Sequence, residues 1–562
     1  MRFPKLSAAL LATVAFGCEG GSPGANHGAA GSTAAGGASA VGGSAATGGT
    51  GTPISPDAVP GRVTLRRLNA REYDNTIRDL VGLDLKPSMS QQFPADEWGD
   101  GFDNDGDVLT TSSLSSEKYL NAAQAVVKAA LADAGARAKL ITCNIADAAC
   151  PATALGELAR RAWRRPVAAD ELAPYLTLVD LAKTKGDTDE VGLGLAMAAV
   201  LTSPDFLFLV EPDPMPNVVR QLTGFEQAAR LSYFLWSSMP DEALFQAAAQ
   251  GKLGQVAGIT EQVQRMLGDP KASAFGEVLV SEWMQTVALK YAEPNATIFP
   301  NWKPTLRDAM EQELRLFLAP IVSGAAPTSD LLGATYTYAN QELATFYGLP
   351  NAASLGDQFT KVDVDVSRRG GVLRQGSFLV LTSHPDRNSP TRRGKWILDR
   401  LLCSPPPPPP ATVPALDTNA PFEGTLRQRL EQLHKNASTT CSGCHAIVDP
   451  MGFALENYDA VGQWRDMDGK YPVDATGTLP GTSVTFNGAA DVTKAIVADP
   501  RFAACVAKQL MVFGLGRKVT DADKPLLNSL GDQFSKNGWK LPELTQMVAS
   551  SVPMMFRQTE AQ

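Results

Sequence analysis

The sequence predicts a mainly α-helical protein built from several domains. Apolar residues recur every three or four positions along much of the chain after residue 57, which is the spacing of one face of a helix. Residue pairs that cap the first turn of a helix precede two of these segments. A chain of 562 residues is too long for one compact core, so we expect about two to four domains.

Local signals place individual helices. Asn69 with Glu72, and Thr223 with Glu226, each form a capping box ahead of apolar residues at helical spacing. Pro240 stands where a further helix is expected to begin, because the two acidic residues after it suit the positive end of a helix dipole. Similar patterns predict helices over 159–163, 305–318, 425–433 and 502–515.

The amino-terminal residues predict export. Arg2 and Lys5 precede an apolar run over 6–16, as in a secretory signal peptide. Cys18 follows this run directly, which is typical of a lipoprotein signal, so we expect a signal peptide over 1–17 and a lipid on Cys18, with plain signal cleavage as the alternative. The next residues are mostly Gly, Ala, Ser and Thr, which predicts a tether over 18–57.

The expected location is the cell envelope. No later stretch offers the roughly 20 unbroken apolar residues that a membrane-spanning helix needs, so we expect contact with the membrane through the lipid anchor alone. Glu19 is not the Asp that commonly retains lipoproteins at the inner membrane, and we therefore expect a periplasmic or cell-surface protein held at the outer membrane.

The strongest chemical signal is the run Cys441, Ser442, Gly443, Cys444 and His445. Two thiols three positions apart on a helical turn can form thioethers with both vinyl groups of one haem, and the adjacent imidazole can bind the iron. A zinc site would need further ligands, and only His434 is close in sequence. A redox dithiol would need a strand-to-helix context that this region lacks. We therefore expect covalent haem c with His445 as the proximal iron ligand.

The sixth iron ligand stays open at this stage. Met451 lies six residues after His445 and His434 precedes Cys441 by seven, so either would have to wrap round the haem edge to reach the iron. More distant candidates are His384, Met467 and Met511.

Residues that flank the motif could contact a haem. The cations Arg392, Arg393 and Lys395 can bind propionates by charge-assisted hydrogen bonds. Four aromatic residues could cover the macrocycle and exclude water: Trp396, Phe453, Tyr458 and Trp464. A structural role is the alternative, with Arg393 paired to a nearby acid.

The remaining cysteines predict two disulfides. Of seven cysteines, one is expected to carry lipid and two to bind haem. Cys143 and Cys150 can close a small loop, and Cys403 with Cys505 then follow by elimination, as suits an oxidising compartment. Buried free thiols are the alternative.

Several function classes are disfavoured. A formal net charge of −9 argues against a nucleic-acid partner, and four histidines with no Ser-His-Asp pattern give little support to a hydrolytic triad. The acidic segment 96–107 invites a calcium interpretation, but an EF-hand loop counted from Asp103 would place Val108 and Leu114 where Gly and Glu are required. A calcium loop of another kind is the alternative to a solvated turn.

The motif and its neighbours resemble the planctomycete-type cytochrome C proteins, which are exported and consist of several domains of unknown function. The haem motif continues into DPMGFALENYD over 449–459 and GQWR over 462–465. Further similar segments are LRRLN over 65–69 with Tyr73, GFDN over 101–104, RRAWRRP over 160–166, SPDF over 203–206, RLSYFLW over 230–236, SP at 389–390, RG at 393–394 and GLGR over 514–517. The resemblance implies cytochrome-like haem binding at Cys441, Cys444 and His445, and it implies no substrate.

Composition changes divide the chain into segments. The expected segments are a signal peptide over 1–17, a tether over 18–57, an N-terminal helical domain over 58–140, a small helical domain with Cys143 and Cys150 over 141–212, a central helical domain over 213–362, a C-terminal cytochrome c-like haem domain over 363–484 and a helical domain over 485–562.

The expected function is electron transfer in the envelope, to or from a redox partner protein, rather than enzyme catalysis. One alternative is a haem peroxidase or oxygenase that acts on an extracellular organic or polysaccharide substrate. A second alternative is a surface binding or assembly protein.

Overall fold

The structure is a computed structural model that describes residues 60–61, 65–212, 218–408, 422–436 and 439–558, with no side chain described within 434–441. The predicted signal peptide, the lipidation site Cys18 and the tether lie outside these residues, as do the side chains of His434 and Cys441. Within the described part of the chain, every helix is too short or too polar to cross a membrane.

The amino-terminal helices share an apolar core. They are α1 (Ala70–Val81), α2 (Pro87–Ser90), α3 (Ser113–Ala132), α4 (Ala134–Leu140), α5 (Cys150–Ala162), α6 (Ala169–Thr184), α7 (Asp189–Val200) and α8 (Pro204–Leu207). The capping box predicted for α1 is confirmed, because Asn69 accepts a hydrogen bond from the Glu72 N–H and Glu72 accepts one from Asn69. The α1 side chains at helical spacing, such as Tyr73 and Ile77, are buried in this core.

The central helices follow. They are α9 (Gly224–Trp236), α10 (Glu242–Ala249), α11 (Val256–Leu267), α12 (Ser273–Val278), α13 (Pro304–Val322), α14 (Asp330–Gly333) and α15 (Gln341–Tyr347). The capping box of Thr223 with Glu226 is confirmed at α9. The helix expected to begin at Pro240 begins at Glu242 instead, because the Asp241 side chain caps it by accepting a hydrogen bond from the Leu244 N–H.

The carboxyl-terminal helices contain the candidate site. They are α16 (Gly376–Leu381), α17 (Pro390–Arg400), α18 (Leu426–Asn436), α19 (Thr439–Phe453), α20 (Ala489–Ala498), α21 (Pro500–Leu515), α22 (Lys524–Lys536), α23 (Leu541–Ala549) and α24 (Val552–Met555). The predicted segments 305–318 and 502–515 lie inside α13 and α21, while 159–163 and 425–433 each extend one residue beyond α5 and α18. The mainly α fold predicted from the sequence is therefore confirmed.

The strands of the described residues form short antiparallel ribbons, and those of β1 with β2 and of β3 with β10 join distant parts of the chain. The pairs are β1 (Arg66–Arg67) with β2 (Phe208–Leu209), β3 (Val219–Gln221) with β10 (Phe556–Gln558), β4 (Tyr336–Ala339) with β5 (Thr360–Asp363), β6 (Met467–Asp468) with β7 (Tyr471–Pro472), and β8 (Thr476–Thr478) with β9 (Thr485–Asn487). In the ribbon of β3 and β10, Phe556 pairs with Gln221 and Gln558 with Val219.

A second, larger core is shared by the central and carboxyl-terminal helices. Phe234 of α9 and Phe513 of α21 contact each other in it, with ring centroids 6.0 Å apart. Trp396 of α17 and Met451 of α19 belong to the same buried cluster. The helices around the haem motif are therefore anchored in the main body of the protein.

Two disulfides are present among the described residues. They join Cys143 to Cys150 and Cys403 to Cys505, the same pairs that cysteine counting predicts. The second bond connects Cys403, which lies shortly after α17, to Cys505 in α21, and it closes a loop of 102 residues.

Candidate haem-attachment site

Helix α19 carries the haem motif in its amino-terminal half. Because residues three and four positions apart lie on the same side of a helix, positions 441, 444 and 445 share one side of α19. The thiol of Cys444 is free and half-buried, whereas the side chain of Cys441 lies outside the described part of the structure. The backbone thus places the three positions of the motif on one side of a single helix.

His445 is held by a carboxylate one turn along the helix. Its Nδ1 lies 3.0 Å from Oδ2 of Asp449 and 3.1 Å from Oδ1. Since a carboxylate only accepts hydrogen bonds, the ring hydrogen lies on Nδ1, and a neutral ring keeps its lone pair on Nε2. Metal-binding histidines commonly have this arrangement, in which the second ring nitrogen donates to a carboxylate.

Thr391 of α17 contacts the same carboxylate. Its hydroxyl donates a hydrogen bond of 2.8 Å to Oδ1 of Asp449. The Asp449 side chain is only 5% exposed, whereas that of His445 is 25% exposed. A chain of three side chains, with the buried Asp449 in the middle, therefore links α17 to the imidazole on α19.

Two glycines allow α17 and α19 to approach closely. A Cβ atom on Gly394 would collide with the carbonyl oxygen of Val448, and one on Gly452 would collide with that of Pro390. The two backbones meet where neither residue has a side chain. This close crossing brings Thr391 within hydrogen-bond distance of Asp449.

Arg393 is fully buried behind this crossing. Its guanidinium donates to the carbonyl oxygens of Leu455, Tyr458 and Asp459, at 2.8, 3.0 and 2.8 Å. It also lies 3.8 Å from the carboxylate of Glu456. Burial lowers the pKa of Arg393 to about 10. The structure thus gives Arg393 the structural role that the sequence left as the alternative to propionate binding.

The other cations proposed for propionates have local partners. Arg392 donates to the carbonyl oxygen of Ser383 at 2.9 Å. Lys395 forms an ion pair with Asp399 one turn further along α17. Both side chains are more exposed than that of Arg393.

The flanking aromatic residues pack against other protein groups. Trp464 is half-buried, lies edge-on to the Tyr458 ring at 5.3 Å, and donates from Nε1 to Asp466. Trp396 lies edge-on to Phe378 at 4.8 Å, and the guanidinium of Arg427 lies 4.7 Å above the Phe453 ring. They stabilise the loop and helices that hold α19.

The candidates for a sixth ligand lie in different environments. Met451 is fully buried in the main core, and it lies about 9 Å further along the axis of α19 than His445 because each helical residue rises about 1.5 Å. Met511 is also fully buried, whereas Met467 is 45% exposed on β6. His384 precedes α17, and burial, with Arg392 and Arg387 nearby, lowers its pKa.

The acidic segment 96–107 uses carboxylates as partners for arginines. Asp96 pairs with Arg67 and Asp103 with Arg71, both at 2.8 Å. Burial raises the pKa of Asp103. Among the described residues, no three His, Cys, Asp or Glu side chains are grouped as metal ligands.

Asp449 and Thr391 were not predicted as partners of His445. The spacing of four residues between His445 and Asp449 within a helix is a signal that could have identified the carboxylate. The hydroxyl of Thr391 comes from another helix, and no local pattern points to it.

Five family models match successive segments of the chain, and each is described as a protein of unknown function. In chain order they are DUF1587 over residues 66–132, DUF1595 over 150–211, DUF1592 over 222–349, DUF1588 over 369–468 and DUF1585 over 483–554. The segment 369–468 contains the haem motif. No curated protein and no solved structure matches the chain.

DUF1588 and DUF1585 are associated with cytochromes c, which implies haem. The chain belongs to the planctomycete cytochrome C type of multi-domain proteins.

Proposed function

We propose that the protein is a c-type cytochrome that transfers electrons in the cell envelope. The observation that carries the proposal is the hydrogen bond between His445 Nδ1 and Asp449, which leaves Nε2 as the nitrogen able to bind iron. Cys444 supplies a free thiol beside it. The attachment sites are Cys441 and Cys444, and the proximal ligand is His445.

The residues present fit a haem. Gly443, Ala446 and Ile447 are exposed, and Ile447 retains 42% of its surface although it is a large apolar residue. Leu433 of α18 is similarly exposed at 46%. Positions 443, 446 and 447 form a side of α19 of their own, three and four residues apart, whereas Cys444 and His445 on the motif side are half-buried and keep surface that a macrocycle can reach.

Attachment needs no oxidant. The S–H bond of each thiol would add across one vinyl double bond of the haem, with sulfur bonding to one vinyl carbon and the hydrogen going to the other. The bound haem supplies an iron that changes between the ferrous and ferric states. Cys441 and Cys444 would then hold the cofactor by two covalent bonds, His445 would bind it through Nε2, and Asp449 would hold the imidazole in place.

The proposal includes export, lipid anchoring at Cys18 and an outer-membrane location, supported by the signal-like residues ahead of Cys18. We expect the Cys18→Ser variant to move from the membrane fraction to the soluble envelope fraction. A variant that stays in the membrane fraction would contradict the anchor.

Mass spectrometry tests haem attachment directly. The full chain, made in cells with a cytochrome c maturation system, should gain the mass of one haem and give a haem c pyridine haemochrome spectrum. The Cys441→Ala/Cys444→Ala variant should lack both signals. A wild-type protein without the added mass would contradict the proposed function.

Spectra distinguish electron transfer from haem catalysis. For electron transfer we expect a low-spin haem spectrum that carbon monoxide does not change, as it would be if a protein side chain besides His445 also held the iron. A high-spin ferric haem that reacts with peroxide would instead support a peroxidase or oxygenase. A redox partner protein in the envelope is part of the proposal, and the same preparation can be tested for electron exchange with envelope extracts.

A further inference from the structure

The Asp449 carboxylate lies between two side chains that both donate to it and so compete for its charge. It accepts a hydrogen bond of 3.0 Å from His445 and one of 2.8 Å from Thr391. The first bond draws electron density from the carboxylate toward the imidazole. The second bond withdraws density from the carboxylate into the Thr391 hydroxyl.

The positions of these groups are fixed by the fold. Asp449 lies one turn after His445 on α19, and Thr391 lies in the first turn of α17. The two helices cross where Gly394 and Gly452 remove any side chain from the contact. Asp449 is buried, and a charged hydrogen bond is stronger where water is excluded.

We propose that Asp449 is a positioning residue that lowers the reduction potential of the haem through its hydrogen bond to His445. This inference rests on the proposed function. A carboxylate that accepts from Nδ1 makes the imidazole a stronger donor at Nε2, and a stronger axial donor stabilises ferric over ferrous iron. The Thr391 hydroxyl weakens the effect, because it takes up part of the charge of the same carboxylate.

Spectroelectrochemical titration of the full haem-loaded chain tests the proposal. Asp449→Asn keeps the shape of the side chain and removes its charge, so the reduction potential should become more positive. Thr391→Val removes the competing donor, so the potential should stay the same or become more negative. Asp399→Asn removes one carboxylate from α17 without contact to His445, and its shift should be smaller than that of Asp449→Asn.

The outcomes separate this inference from the proposed function. A haem-loaded Asp449→Asn variant with the wild-type potential, or a lower one, overturns the inference and leaves the cytochrome assignment intact. Equal upward shifts in Asp449→Asn and Thr391→Val overturn it as well, since loosened helix packing would then be the cause. A wild-type chain without covalent haem contradicts both.

Discussion

At the scale of single residues, the buried guanidinium of Arg393 is a group near the site that needs several hydrogen-bond acceptors. Three backbone carbonyl oxygens of the turn after α19 accept its hydrogen bonds. A planar fork of N–H groups can reach several acceptors at once, whereas the ammonium group of lysine has one nitrogen. An arginine at this position therefore supplies the hydrogen-bond donors that the carbonyl oxygens of the turn after α19 need.

Arg393→Lys should lower the free energy of unfolding by about 2–4 kcal/mol, because it leaves buried carbonyl oxygens without donors. Arg392→Lys is the matched control on the same helix, since Arg392 is exposed and donates to one carbonyl oxygen. Chemical denaturation of both variants measures the difference. Equal losses in the two variants would show that the Arg393 bonds do not stabilise the fold.

Glu313 is a second buried residue, and the ionisation of its carboxyl group should make the stability of the protein depend on pH. It accepts a hydrogen bond from Tyr347 at 2.6 Å and another from Thr337. Burial raises its pKa to about 7 from an ordinary value of 4.5. The folded protein therefore binds this proton more tightly than the unfolded chain, so the stabilisation is complete below about pH 4.5 and is lost as the pH rises through about 7.

The Glu313→Gln variant should lack this pH dependence and be more stable than the wild type at pH 8. The change in unfolding free energy between pH 5 and pH 8 should differ between the two proteins by on the order of 2–3 kcal/mol. Denaturation of both proteins across this pH range measures it. Parallel curves would mean that Glu313 is ionised in the folded protein throughout the range.

At the scale of elements, the crossing of α17 and α19 sets the geometry of the site. Gly452→Ala would force the new methyl group against the carbonyl oxygen of Pro390, and the backbones would have to separate. We expect the unfolding free energy to fall by about 1–3 kcal/mol, as for other overpacked interiors. Gly443→Ala on the same helix meets no atom within 4 Å and should keep or raise stability.

Thermal melts of the haem-free proteins compare the two glycine variants. Haem-free protein is used because Gly443 lies inside the attachment motif. If Gly452→Ala melts at the same temperature as Gly443→Ala, the close crossing is not a stabilising constraint.

The same elements show which structural features can be predicted from the sequence. The capping boxes at Asn69 and Thr223 were predictable because all their atoms lie within one helical turn. The haem-attachment motif was visible for the same reason, because its residues are neighbours in the sequence. The contact of Thr391 with Asp449 joins residues 58 positions apart and depends on the crossing of two helices, which periodicity does not contain. The start of α10 was predicted two residues too early. The Asp241 side chain caps the helix from the position just before its first residue, so the helix begins at Glu242 and Pro240 lies outside it.

At the scale of the whole molecule, the two disulfides constrain the chain to different degrees. Cys143–Cys150 closes a loop of 7 residues, whereas Cys403–Cys505 closes one of 102. The entropy removed from the unfolded chain grows with the logarithm of loop length. The longer bond also joins the site helix α17 to α21 in the shared core.

Cys403→Ser/Cys505→Ser should therefore destabilise the protein more than Cys143→Ser/Cys150→Ser, by about 2 kcal/mol from loop entropy alone. Denaturation of the two double variants, expressed under oxidising conditions, measures the difference. A larger loss in the variant without Cys143 and Cys150 would contradict the loop-length argument.

Helix α19 changes character along its length, from the exposed Gly443 and Ile447 to the buried Met451 and Phe453. Met451, at the buried end, belongs to the main core. The carboxyl-terminal half of α19 is therefore fixed by the core while its amino-terminal half keeps exposed surface, so a large group added to the amino-terminal half would leave the packing of the other half unchanged.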